Sequence, residues 1–111
     1  MPYRIERAFY RIHYPITERP RFWSGTCVYE VLDCCEGGLR YRLSGSEARP
    51  AVGATVNGLL RFHRGTELDI EGEVVRVQNG SVALNLTTNR IPFSVILAEQ
   101  KELLRRYPMI D

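Results

Sequence analysis

The chain has 111 residues, 15 basic against 13 acidic side chains and a formal net charge of +2. That balance excludes a protein that coats DNA or RNA by bulk charge, because such binders neutralise many phosphates at once and carry a strong basic excess. A small anionic ligand stays open. No apolar stretch approaches the roughly 18 residues of a membrane span, the charged start lacks the apolar core of a signal peptide, and three cysteines make no disulfide framework. The expectation is one cytoplasmic domain of about the usual size.

The elements follow in chain order. Residues 1–20 hold Arg4, Arg7, Arg11 and Arg19 against Glu6 and Glu18, with Pro15 and Pro20 breaking any helix, which predicts a flexible, extended basic arm. Residues 21–88 have the texture of a barrel. Phe22 and Trp23 are expected in its core, and Cys27 to Leu32 leads through Glu36-Gly37-Gly38 to the alternating run Leu39-Arg40-Tyr41-Arg42-Leu43, a hairpin. After a polar loop from Ser44 to Gly53 come strands at Thr55 to Phe62, Leu68 to Val77 and Ser81 to Leu86. The last two are joined by Asn79-Gly80, a strong two-residue hairpin signal because both positions accept positive φ.

From 91 to 107 the period changes to that of a helix, with Ile96, Gln100, Leu103 and Tyr107 on one face, Val95 and Leu104 beside it, and Pro108 as the stop. The fold class expected is mainly β: a small six-stranded antiparallel barrel with an N-terminal arm and one C-terminal α-helix.

Enzyme chemistry finds no foothold. His13 and His63 have no metal-ligand spacing to carboxylates or cysteines, and consecutive Cys34 and Cys35 point to opposite faces of a strand. The serines lack the glycine context of a nucleophile elbow. Neither a catalytic site, a metal nor a cofactor is expected. All but one of the basic residues are arginine, Lys101 being the exception, and the guanidinium fork matches phosphate oxygens and the O6/N7 edge of guanine as an ammonium does not.

Two short patterns combine. Arg7-Ala8-Phe9-Tyr10-Arg11 is an RxxxR, and Asp33-Cys34-Cys35-Glu36-Gly37-Gly38 runs from an acidic residue closing one strand to a double glycine opening the next. In this order and spacing, with a Gly72-Glu73-Val74-Val75-Arg76 strand and a helix closed by Tyr107-Pro108, the chain resembles the PilZ domain family along nearly its whole length. That family pairs RxxxR with a D/NxSxxG turn on a small barrel. The resemblance implies a receptor for cyclic di-GMP, with Arg7 and Arg11 on phosphate and guanine and Asp33 accepting from guanine or holding an arginine. Cys35 would stand where the family has serine, and Gly38 would allow the turn and close backbone approach. It also implies a signal relayed by the arm to an unidentified effector protein, without DNA, RNA or membrane as partner, from a monomer or weak homodimer. Two positions depart from the pattern: Cys35, a weaker hydrogen-bond donor than serine, and Glu6, where an arginine often precedes RxxxR. The alternative is a degenerate PilZ-like module that engages protein without nucleotide.

Overall fold

The computed structural model describes residues 11–45 and 49–108, so Arg7 and the rest of its motif before Arg11 lie outside the described residues. Alternation of apolar and polar side chains builds the strands: in Gly38–Arg42 (β4) Leu39 and Tyr41 are buried, and in Ser81–Leu86 (β7) Val82, Leu84 and Leu86 are. Paired with Arg21–Ser24 (β2), Cys27–Cys35 (β3), Thr55–Arg61 (β5) and Glu67–Gln78 (β6), these strands close a ring in the order β3-β2-β5-β6-β7-β4 and back to β3, all antiparallel. It is the six-stranded barrel the sequence pattern predicts. Asn79 and Gly80 adopt φ of 53° and 74°, so the β6–β7 turn uses the left-handed conformations its residues favour.

A seventh short strand, Ile12–His13 (β1), lies beside the end of β3, pairing Ile12 with Cys34 and His13 with Asp33. The expected arm is therefore tied down in its second half. Ile12, Tyr14, Glu18 and Pro20 are buried, and the Tyr14 amide donates to the Leu32 carbonyl at 3.0 Å. Alternation of Arg11, Ile12, His13 and Tyr14, exposed and buried in turn, is what anchors it.

Inside, Phe22, Val31, Leu60, Phe62, Val74 and Val82 are fully or almost fully buried, and the Phe22, Tyr29 and Tyr41 rings pack with centroids 4.6 to 6.3 Å apart. Trp23 departs from expectation: it stands outside the barrel, 46% exposed, opposite Val28. The alternation that buries Phe22 sends its neighbour outward.

The helix, Phe93–Arg106 (α1), begins after Pro92 and packs Ile96 and Leu103 inward. Its buried face also carries Glu99, while Gln100 is only half-buried and Leu104 is exposed. The apolar face is thus rotated from the expected one, because the Tyr14 hydroxyl donates to Glu99 Oε1 at 2.8 Å and makes a buried carboxyl tolerable there.

Candidate functional site

Two irregularities in the ladders decide what faces the outside of the barrel beside β1. Strict alternation from the buried Val31 would turn Asp33 into the core, and from the buried Val74 it would turn Arg76 inward. In β3 the register against β4 slips between Val31 and Asp33, and in β6 the register against β7 slips between Val74 and Arg76. Each bulge inserts one residue, Leu32 or Val75, and reverses the phase. The result is a row of cross-strand partners over five strands: His13, Asp33, Arg40, Ala83 and Arg76. A second row, Cys35, Gly38 and Asn85, lies beside it.

These rows floor a groove of about 610 Å³, lined also by Arg11, Gly37 and Val75. Asp33 organises it. Arg11 Nη1 donates to Asp33 Oδ1 at 2.5 Å, while Arg40 reaches Oδ2 through Nε at 2.8 Å and Nη2 at 2.7 Å. The Asp33 side chain is 2% exposed under guanidiniums that are themselves 40% and 42% exposed. With water still reaching the cations, each pair is worth on the order of 1 kcal/mol, so the arrangement chiefly aims the arginines. Arg11 Nη2 also donates to Cys35 Sγ at 3.7 Å, and His13 Nδ1 lies 3.7 Å from Asp33 Oδ2.

Of the residues expected at the site, Arg11, Asp33, Cys35 and Gly38 come together here; Arg7 lies outside the described residues. Gly38 differs in one respect. It is the first residue of β4 and takes no positive φ, so the turn does not require it. Its value is space: a Cβ there would sit 3.3 Å from the Leu84 carbonyl oxygen, a tight approach to backbone, and would touch Arg11 Nη2 at 3.4 Å. Cys34 and Cys35 do point to opposite sides. The Cys34 thiol meets the Tyr14 hydroxyl inside at 3.7 Å, and burial pushes its pKa up to about 12.

Arg40 and Arg76 were not foreseen as site residues. The signal was present in Val31-Leu32 and Val74-Val75, doublets that break the alternation where the bulges fall. Among the described residues that line the groove, three guanidiniums, from Arg11, Arg40 and Arg76, accompany one carboxylate, a surplus of two positive charges. Arg76 is exposed, and no carboxylate among the described residues lies within ion-pair reach of it.

A second polar cluster joins α1 to the segment after β1. Besides Tyr14–Glu99, the buried Glu18 accepts from Arg106 Nη1 at 3.1 Å and from the Tyr107 hydroxyl at 3.2 Å. Glu102 accepts from Arg105 and Arg106 at 2.6 and 2.9 Å, which holds its carboxyl down to about 2. Burial pushes the Glu99 carboxyl above its ordinary 4.5, against the opposing pull of the Tyr14 hydrogen bond and of Arg64 and His63. The void in this cluster measures only about 10 Å³, too little for a ligand. Among the described residues no group of histidine, cysteine and carboxylate side chains could hold a metal, and no helix is long and apolar enough to cross a membrane.

Fold and groove define the class: a small antiparallel barrel bearing an arginine-lined groove. The sequence matches the PilZ domain profile over residues 5–108, and the chain belongs to the PilZ domain family. Among solved structures it is similar to the crystal structure of an uncharacterized Legionella protein, with a TM-score of 0.59 and 12% identity over 89% of this chain and 99% of that one. That likeness is one of fold. No curated protein matches the sequence.

Proposed function

We propose that the protein is a cyclic di-GMP receptor whose groove takes the dinucleotide and whose N-terminal segment, carrying Arg7, closes over the bound ligand and presents a changed surface to an effector protein. The observation that carries this is the Asp33 bridge. One buried carboxylate spends an oxygen on Arg11 and the other on Arg40, so two guanidiniums are held at the mouth of a groove with a positive surplus. A ligand with two singly charged phosphates matches that surplus. Its guanines offer the O6/N7 edge that an arginine fork recognises, and Gly38 with Ala83 gives a floor low enough for a flat base. Asp33 then acts by aiming arginines. Cys35 Sγ accepts from Arg11 in the place of the family's serine, which weakens the contact without removing it. The work is recognition, with no bond made or broken.

The second reading, a module that engages protein without nucleotide, draws on an apolar stripe on α1, where Phe93, Leu97 and Leu104 stay exposed. It needs none of the arginine geometry. Of the aromatics that a single-stranded nucleic-acid platform would need, Tyr14, Phe22 and Tyr41 are buried, and on the barrel strands Trp23 alone stands well exposed, one ring rather than a row.

Titration calorimetry with cyclic di-GMP separates the two readings. Wild type binds, and Arg7→Ala/Arg11→Ala loses about a hundredfold or more in affinity, since charge-assisted bonds contribute ~1.5–3 kcal/mol each. Among the described contacts the free variant gives up the Arg11–Asp33 pair, about 1 kcal/mol, and the weak Arg11–Cys35 bond, so it stays folded and melts only a few degrees below wild type. Absence of binding by wild type, or binding by the double variant as tight as wild type, sinks the receptor reading.

A further inference from the structure

We infer that Arg76, together with Arg40, forms a second anion-holding position in the groove, which receives the second phosphate of the dinucleotide. The inference rests on the receptor reading for the identity of the ligand, but its geometry stands apart from the RxxxR motif. Arg40 and Arg76 are both cross-strand partners of Ala83. Their Cα atoms are therefore two strand spacings apart, roughly 10 Å, with the smallest side chain of the row between them. Long guanidinium arms on either side of an alanine can converge above it on one anion.

The two arginines are not equivalent. Arg40 is already turned toward Asp33, with Nη1 left 3.5 Å from Ser81 Oγ. Arg76 has no carboxylate within ion-pair reach among the described residues and owes its outward direction to the β6 bulge. Bulges recur beside binding sites because they re-aim a side chain. Here two of them, on opposite flanks of β4 and β7, aim Asp33 and Arg76 at the same row. A fold that needed Arg76 only for solubility would not require the slip, because regular alternation leaves solvent-facing positions on either side of it. The same arginine lines the groove and a smaller depression that continues from it past Arg40 and Ser81, so an anion placed there stays continuous with the Arg11 end.

A phosphate needs charge in the right place, whereas a guanine edge needs the planar fork. Arg76→Ala should weaken cyclic di-GMP binding on the order of tenfold, and Arg76→Lys should recover most of that loss. Arg90→Ala, which removes the same charge from an exposed position outside the groove, should bind as wild type. All three should melt with wild type. The inference is overturned if Arg76→Ala binds as tightly as wild type, if Arg90→Ala loses as much, or if Arg76→Lys is as weak as Arg76→Ala, which would put Arg76 on a base.

Titration with inorganic pyrophosphate, followed at the arginine Nε–Hε resonances, keeps the two proposals separable. A response at Arg76 with no binding of cyclic di-GMP would retain the anion position and discard the receptor reading. Binding of cyclic di-GMP without any effect of Arg76→Ala would do the reverse.

Discussion

The groove and the helix end are built from the same ingredients, arginines set against carboxylates, yet they are proportioned in opposite ways. In the groove Arg11 and Arg40, each about 40% exposed, share Asp33, and Arg76 beside them has no carboxylate within ion-pair reach among the described residues. At the helix end Glu18, Glu99 and Glu102 meet Arg105, Arg106 and the Tyr14 and Tyr107 hydroxyls, and each carboxyl has a donor. Surplus cation in an open groove is left for a ligand to complete. Matched donors and acceptors around a void too small for a ligand hold α1 against the segment that follows β1. The comparison teaches that ion pairs alone do not mark a site; what marks one is a charge the protein itself leaves unanswered, beside a space of useful size.

Breaking the contrast at the helix end should change stability and leave binding alone. Glu99 has a raised pKa in the folded state, so the folded protein keeps a proton there that the unfolded chain has lost. The stability this contributes is full below the ordinary value of 4.5 and is lost as pH rises through the higher folded value. Glu99→Gln, which keeps an acceptor for Tyr14, should remove that loss. Its melting temperature relative to wild type is expected to climb between about pH 4.5 and 7, by roughly a few degrees, while cyclic di-GMP affinity stays unchanged. A constant difference across that range would mean that Glu99 titrates normally, and lost affinity would mean the two regions are not separate.

Sharpening the contrast in the groove calls for a smaller change. Cys35→Ser puts a hydroxyl, a better acceptor and donor than a thiol, where the sulfur now accepts from Arg11 Nη2. Calorimetry should show several-fold tighter binding of cyclic di-GMP, about 1 kcal/mol, with little change in melting temperature. Equal or weaker binding would remove position 35 from the ligand's surroundings.

Much of the barrel was legible because its strands obey simple rules. Leu39 and Tyr41 alternate with Arg40 and Arg42, and Asn79-Gly80 admits only a tight turn of one hand. The helix was legible in extent but not in facing, since Glu99 is buried by a hydroxyl 85 residues away in sequence, a contact no local period contains. The end of the arm was misjudged for a related reason. Ile12 and His13 form a strand two residues long, held by pairing with Cys34 and Asp33 rather than by propensity.

At the site, Arg11, Asp33, Cys35 and Gly38 could be named from motif order. Arg40 and Arg76 were missed for different reasons. The outward facing of Arg40 follows from plain alternation in β4, but its place opposite Asp33 follows from the β3 bulge. The facing of Arg76 itself depends on the β6 bulge, which becomes decisive only when the register of the neighbouring strand is known.

The most direct test of the account is an amide NMR titration of the whole chain with cyclic di-GMP. The predicted result is saturable shifts concentrated at Asp33 to Cys35, Gly37 to Arg40, Val75 and Arg76, and Ala83 to Asn85, with Glu99 to Arg106 little affected. Shifts centred on the helix end, or none in the groove at saturating ligand, would contradict it.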